Sequence, residues 1–308
     1  MIGPIFSQMV QLFSILIIGY ILCKRDIMNA DFTRRMNKIV VNITLPALIL
    51  HSVLGAEGGD PELVLYLFGL AVALYLIMPF IAMGLTKLLH VPRHEEGLYA
   101  FMMVYSNIGF MGYPVIRAAY GDLAVFYASI FNIMFNVSGF TMGIWLIHRG
   151  TGAMARFNMK KLLSPGILFS LLAVAFYLLH VRLPEPVSQL IGTIGELTTP
   201  LAMLLIGATL GQMNVKEVFN DWHMYPFAVV KQILLPLASW PLIRLATADP
   251  LIQGIMLILM AMPVANTSVL FATEYGISEK TAAKNVFFTT LISILTVPLV
   301  VMICNVGG

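Results

Sequence analysis

Long runs of apolar residues, separated by short polar stretches, dominate this chain. Ten runs are long enough to cross a hydrocarbon core, which needs roughly 20 residues per helix. We number them runs 1 to 10, and their approximate bounds are 4–23, 35–55, 62–89, 97–117, 122–147, 165–181, 187–211, 225–245, 250–273 and 280–304. The pattern predicts an all-α polytopic membrane protein with ten transmembrane helices.

Basic residues are unevenly distributed around these runs. Fourteen Lys and Arg lie in or beside the connections that follow runs 1, 3, 5, 7 and 9, whereas the opposite face holds Arg117, Arg182 and Arg244. Because Lys and Arg are retained on the cytoplasmic side of a membrane, we expect both termini outside the cytoplasm. The 148–163 linker is then cytoplasmic, and the expected location is the inner (cytoplasmic) cell membrane.

Composition supports lipid as the main solvent. Of 308 residues, 59% are hydrophobic and 11% are charged, whereas an ordinary soluble domain is about 25% charged. The net charge of +3, without a basic stripe, argues against nucleic acid as a partner. Walker, nucleophile-elbow and zinc motifs are absent from the sequence, so we expect neither an enzyme nor a cofactor. His90 and His94 have the spacing of a metal pair, but no third ligand follows, so we predict no metal site.

The two halves of the chain contain five runs each, which suggests a duplication. An odd number of crossings inserts the second half upside down relative to the first. Prolines occur in runs 1 to 4 and again in runs 6 to 9, and Thr44-Leu-Pro46 is similar to Thr198-Thr-Pro200. We therefore predict two inverted five-helix repeats, 1–147 and 164–308, which is an architecture of many secondary transporters.

Runs 4 and 9, each the fourth in its half, carry residues that weaken a helix. Run 4 reads SNIGFMGYP over 106–114, and run 9 reads MPVANTS over 262–268. Glycine and proline destabilise helix interiors, and matching interruptions in two halves indicate a binding site near the bilayer midplane. Half-helix N-termini at such a site favour an anion. Ordinary kinks that permit close packing are the alternative.

Three segments of the chain resemble the auxin efflux carrier family, whose bacterial members include malonate-transporter-like proteins. They are NITLPALIL at 42–50, SNIGFMGYPV at 106–115 and MPVANTSVLFATEYG at 262–276. The resemblance covers the whole chain and implies a fold similar to bile-acid symporters and sodium–proton antiporters. In that fold, broken helices 4 and 9 cross at the substrate site. The central linker is short, so the resemblance does not imply auxin as the substrate.

The resemblance also implies that the runs form two groups with different roles. Runs 1, 2, 6 and 7 would form a scaffold, and runs 3–5 and 8–10 a core that moves against it in an elevator-like way. Carried over to this sequence, the substrate-binding residues at the crossing are Asn107, Gly109, Gly112, Pro114, Pro263, Ala265 and Asn266. Asn136, in run 5, is expected to line the site from behind or, alternatively, to bond a neighbouring helix. Amide side chains such as those of Asn107 and Asn266 can donate hydrogen bonds to a carboxylate.

Two charged residues fall inside predicted runs and are candidates for coupling. Glu196 lies near the middle of run 7 and could take up a proton, unless that run begins later and leaves the carboxylate in the outer interface. Lys231 lies about two turns into run 8. It could neutralise an anionic substrate, pair with Glu196, or extend along its own stem to the cytoplasmic interface.

We therefore predict a secondary transporter that moves small organic anions, such as mono- or dicarboxylates, by alternating access. A sodium- or proton-coupled antiporter or symporter of the same fold is one alternative, and a membrane receptor without transport is another. The expected partners are the anion and the lipid bilayer. A homodimer is a further possibility, because Gly207 and Gly211 form a GxxxG pattern that serves either dimer contacts or packing within one chain.

Overall fold

Helices make up the regular structure in the part of the chain that can be described. A computed structural model describes residues 2–54, 60–149, 165–213, 219 and 221–305, so most of the predicted linker lies outside the described residues. In the first half, α-helices cover Ile2–Lys24, Ala30–Ile39, Leu45–Leu54, Pro61–Leu88, Glu96–Val104, Tyr113–Tyr120, Asp122–Ser138 and Ile144–Ile147. In the second half they cover Pro165–Leu178, Glu185–Glu196, Thr198–Gly211, Met224–Val229, Leu235–Ala246, Pro250–Ala261, Thr267–Tyr275 and Glu279–Cys304.

Within the described residues, four short π-helical segments connect some of these helices. They are Val40–Thr44, Ile108–Gly112, Gly139–Gly143 and Val230–Leu234. Each follows or precedes an α-helix directly, so that runs 2, 5 and 8 stay helical over most of their length. A π segment rotates the side chains that follow it, and such segments occur frequently at functional sites.

Seven helical stretches of the described chain are long and apolar enough to cross a membrane. They are Ile5–Lys24, Ala30–Leu54, Pro61–Leu88, Asp122–Ile147, Glu185–Gly211, Met224–Ala246 and Glu279–Cys304. Two further apolar helices, Pro165–Leu178 and Pro250–Ala261, are shorter. The all-α, multi-pass membrane character that the apolar runs predict is therefore confirmed.

The helices form two compact units, and each unit takes segments from both halves of the chain. Unit 1 consists of Met1–Leu67, Gly109–Ile133 and Leu163–Val215, and unit 2 of Phe68–Ile108, Met134–Leu162 and Lys216–Gly308. Runs 1, 2, 6 and 7 belong essentially to unit 1, and runs 8, 9 and 10 to unit 2. Runs 4 and 5 are divided between the units, so a compact unit is not the same as a predicted repeat.

Glycines allow close helix packing within unit 1. A Cβ added at Gly207 would overlap the backbone carbonyl of Leu16, and one at Gly211 would lie 2.7 Å from Cβ of Cys23. The GxxxG pattern therefore lies against the helix Ile2–Lys24 of the same chain. The structure supports packing within the chain as the role of these glycines.

Candidate functional site

Runs 4 and 9 are interrupted where their backbones meet, inside unit 2. The residues between their helices are extended, and Ser106 forms an isolated antiparallel bridge with Val264. On one side of this bridge the Asn107 amide donates to the Pro263 carbonyl at 2.8 Å, and on the other the Ala265 amide donates to the Tyr105 carbonyl at 3.0 Å. The two runs thus pair each other's free backbone groups, and such pairing is what allows irregular backbone within a membrane protein.

The interruption in run 9 lies where the sequence predicts it, but that in run 4 lies earlier. Run 4 leaves the helix at 105–107, while Gly109 already belongs to a π-helical segment. Gly112 has helical backbone angles, and Pro114 follows in the first turn of Tyr113–Tyr120. Proline is tolerated there because a first-turn amide lacks an intrahelical partner anyway. The interruption therefore begins earlier than predicted: the α-helix ends at Val104, Gly109 and Gly112 lie in the π-helical segment, and Pro114 lies in the α-helix that follows.

Lys231 lies at this crossing and is almost completely buried, with a relative exposure of 1%. Its Nζ donates to Oγ of Ser106 at 2.7 Å and lies 3.4 Å from the Met260 carbonyl oxygen. No carboxylate of the described residues lies within ion-pair distance of this ammonium. The stem of Lys231 points inward to a hydroxyl of run 4, so the alternative in which it extends to the cytoplasmic interface is wrong.

Polar groups without partners surround the same crossing. Asn107 is buried, and its Nδ2 has no hydrogen-bond partner among the described residues. Asn266 is half-buried and precedes the helix Thr267–Tyr275 without capping it through its side chain. The buried hydroxyls of Thr267 and Ser268, in the first turn of this helix, likewise lack partners in the described chain. Buried polar groups are rarely left unpaired, so this arrangement suggests a polar ligand.

Runs 8 and 10 support the interrupted part of run 9 from behind. The Val264 amide donates to Oγ1 of Thr289 at 3.2 Å, and that hydroxyl donates to the Asn285 carbonyl at 2.6 Å. Gln232, which is fully buried, donates from Nε2 to the Thr289 carbonyl at 2.9 Å. Sequence reasoning missed Ser106 and Gln232; the signal for Gln232 was a second polar residue beside Lys231 in an apolar run.

A match to known proteins agrees with this arrangement. A family model described as "Membrane transport protein" matches residues 4–157 and 152–301, nearly the whole chain. The chain belongs to the membrane transport protein family. This membership confirms the resemblance to auxin efflux carriers, and it makes the protein a membrane transporter rather than an enzyme.

Relatives of this membrane transport protein are similar over almost their full length. "Uncharacterized transporter YfdV" of Escherichia coli K12 is 23% identical over 95% of both chains. "Putative malonate transporter" of Rhizobium meliloti is 22% identical over 96% of this chain and 94% of that protein. "Uncharacterized transporter" of Methanothermobacter thermautotrophicus is 24% identical over 92% of this chain and 93% of that protein. A transporter requires a small-molecule substrate, which is consistent with unpaired polar groups at the crossing.

Two other candidate residues have environments of their own in the transporter. In unit 1, the Glu196 side chain is 64% exposed and lies 3.8 Å from Nη2 of Arg117, whose Nε also donates to Asp122. Such an exposed ion pair supports the interfacial alternative for Glu196. In unit 2, Asn136 is half-buried on the helix Asp122–Ser138, and its role behind the crossing stays a prediction.

Proposed function

We propose that this membrane transport protein is a secondary transporter of small organic anions, mono- or dicarboxylates, and that it works by alternating access. The observation that carries the proposal is the buried amino group of Lys231, which has no carboxylate partner in the described chain. Its partners within the described chain are a hydroxyl and a backbone carbonyl, both of them neutral. When Lys231 is protonated, the carboxylate that neutralises it is therefore expected to come from the substrate.

Burying a charge without a counter-ion is costly. An ammonium taken out of water loses several kcal/mol of solvation, and neutral acceptors return only part of it. A bound carboxylate returns much more, because the two charges attract each other in a medium of low dielectric constant. Unlike a fixed carboxylate of the chain, a substrate can leave again, which transport requires.

Neutral donors beside Lys231 orient the bound anion and favour it over other solutes. Asn107 offers an unpaired Nδ2, and Asn266 begins the helix Thr267–Tyr275, whose N-terminal amides favour negative charge. A hydrogen bond to a charged group is worth about 1.5–3 kcal/mol, which corresponds to roughly 10- to 150-fold in affinity. We propose that Asn107, Asn266 and Lys231 hold the anion, with Pro263 and Ala265 shaping the backbone and Gly109, Gly112 and Pro114 forming the adjoining half-helix.

The proposal includes the ten-span inverted repeat and the orientation that the sequence predicts. Interruptions at the fourth run of each half support the repeat, and the excess of basic residues on one face supports a cytoplasmic linker. Runs 3–5 and 8–10 would then carry the anion past runs 1, 2, 6 and 7 in the inner membrane. The proposed site lies at the bilayer midplane, where alternate exposure to the two sides requires the smallest movement.

Purified protein in detergent and in proteoliposomes tests this function. Malonate, malate and acetate are screened by thermal shift, because a ligand that binds only the folded state raises the midpoint, and choline serves as a cationic control. Carboxylates that stabilise the protein are then tested for counterflow into liposomes. Stabilisation and counterflow by at least one carboxylate are expected. Stabilisation without flux would indicate a receptor, and flux of choline alone would overturn the choice of an anion.

A further inference from the structure

Unit 2 contains an apolar groove that is separate from the crossing. Its volume is about 370 Å³, at the lower end of the range for small-molecule sites. One wall is the helix Pro61–Leu88 and the other is the C-terminal half of run 5. The apolar side chains that line it include Val72, Leu76, Met134, Val137, Met142 and Trp145.

The polar atoms in this groove are already engaged. Oγ of Ser138 and the hydroxyl of Tyr105 are hydrogen-bonded at 2.7 Å, and Oγ1 of Thr141 donates to the Val137 carbonyl at 2.7 Å. Tyr105 is fully buried and stacks on Tyr75, with ring centroids 6.1 Å apart. Its ring therefore lies between the groove and the crossing. The groove offers an apolar surface and suits an alkyl chain better than a small hydrophilic anion.

A cation lies at one end of the groove. Cζ of Arg149 is 5.8 Å from the centroid of the Trp145 ring, and Nη1 of Arg149 lies 2.8 Å from Sδ of Met83 on the opposite wall. The described part of the chain offers this guanidinium no carboxylate. The backbone at Arg149 packs closely against Gly97, because a Cβ on Gly97 would lie 2.8 Å from the Arg149 carbonyl oxygen.

The dimensions match one leaflet of a bilayer. Val72 and Met83 are eleven residues apart on one helix, which is roughly 16 Å at 1.5 Å per residue, and half of a hydrocarbon core is about 15 Å. Tryptophan and arginine at one end are typical of the headgroup level. In the predicted orientation this end faces the cytoplasm, where anionic lipids are enriched.

We propose that this groove binds one anionic phospholipid, with an acyl chain between the two helices and the phosphate at Arg149. The guanidinium forms paired hydrogen bonds with phosphate oxygens, for which its fork geometry is suited. Trp145 covers the part of the acyl chain that is nearest to the headgroup. The lipid is retained at this position, in contrast to the freely exchanging lipids elsewhere around the helices.

Native mass spectrometry of the full chain tests the proposal, with equal amounts of phosphatidylglycerol and phosphatidylcholine added in detergent. Wild type should retain one phosphatidylglycerol in preference to phosphatidylcholine, and R149Q should reduce that preference about fivefold or more. Val137→Trp, which fills the groove, should abolish retention. Lys24→Gln is the matched control, because Lys24 also lies over an aromatic ring, 5.5 Å from the centroid of Tyr20, and it should change nothing.

Several results would contradict this assignment. Equal retention of the two lipids by wild type, or unchanged retention in R149Q or in Val137→Trp, would overturn it. Competition by glycerol phosphate at the lipid's own concentration would show that the site takes a soluble phosphate instead. Circular dichroism of each variant, with spectra equal to those of wild type, ensures that a loss of retention reports the groove.

Discussion

Replacing Lys231 by methionine tests whether this lysine binds the substrate or stabilises the fold. Methionine keeps much of the length of the side chain and removes its charge and its donors. The Nζ–Oγ hydrogen bond of 2.7 Å to Ser106 is lost, and the buried cation disappears. Two opposite effects on stability follow, and their sizes can be derived from the site.

Losing the hydrogen bond destabilises the substrate-free protein. A bond of this kind contributes about 0.5–3 kcal/mol, and Ser106 keeps its backbone pairing with run 9. Removing an ammonium without a counter-ion acts in the other direction, since replacing buried charges by apolar residues is often neutral or stabilising by about 1–4 kcal/mol. We therefore expect the unfolding midpoint of substrate-free K231M to stay the same or to rise.

Substrate binding should change in the opposite sense. The variant loses a charge-assisted hydrogen bond to the anion, worth about 1.5–3 kcal/mol, so its affinity for a carboxylate should fall roughly 10- to 150-fold. The thermal shift produced by a fixed carboxylate concentration should shrink accordingly. Lower affinity together with an unchanged or higher midpoint is the expected signature.

Thermal unfolding followed by tryptophan fluorescence, and isothermal titration with the carboxylate, measure both quantities on detergent-solubilised protein. K284M is the matched control: Lys284 is 22% exposed, and its ammonium lies 3.7 Å from a carboxylate oxygen of Asp221 and already has this counter-ion. It should keep wild-type affinity. A K231M variant that binds the carboxylate as well as wild type, yet unfolds several degrees earlier, would refute the reasoning and make Lys231 a structural residue.

Three further predictions follow from the same observations. Asn107→Ala should weaken carboxylate binding roughly 10- to 150-fold. Its unfolding midpoint should be unchanged, because Nδ2 of Asn107 has no partner to lose in the described chain. Asn136→Ala should weaken carboxylate binding less, and equal carboxylate affinities of the two variants in a titration would contradict this prediction. Thr289→Val should destabilise by about 1–3 kcal/mol, because the buried Val264 amide loses its acceptor, and denaturant titration measures it. A cysteine at position 160 should react with a membrane-impermeant thiol reagent only after lysis; labelling of intact cells would reverse the topology.

Local chemistry explains which parts of the fold the sequence could predict. Long apolar runs predict membrane helices, because lipid leaves no other solution for the backbone. Pro263 lacks an amide hydrogen, which favours an interruption near it, although Pro79 and Pro298 lie inside continuous helices. Gly109 gave a misleading signal, since a glycine permits a break without requiring one. The actual break at 105–107 arises from pairing with run 9, which is a tertiary contact.

Lys231 shows a second limit of sequence reasoning. A lysine two turns inside a helix has a stem long enough to reach either the interface or the protein interior, and the sequence does not choose between them. The choice depends on an acceptor 125 residues away, Oγ of Ser106. The sequence likewise left open whether Glu196 lies inside run 7 or in the outer interface. The exposed ion pair with Arg117 supports the interface.

The balance of donors and acceptors at the crossing gives the strongest argument for an anion over a cation. A sodium ion needs several oxygen ligands, yet the carbonyls of Tyr105 and Pro263 each already accept a backbone amide, and the Ser106 hydroxyl accepts from Lys231. Two donors at the crossing are available to an anion: the Lys231 amino group lacks a counter-ion within the described chain, and Nδ2 of Asn107 lacks an acceptor there. The unpaired acceptors, Oε1 of Gln232 and Oδ1 of Asn285, belong to the residues behind run 9. A cation placed beside Lys231 would also meet a like charge in a medium of low dielectric constant. If transport is coupled to sodium, we expect the ion to bind away from Lys231, so that altering its site should leave the proposed carboxylate binding at the crossing intact.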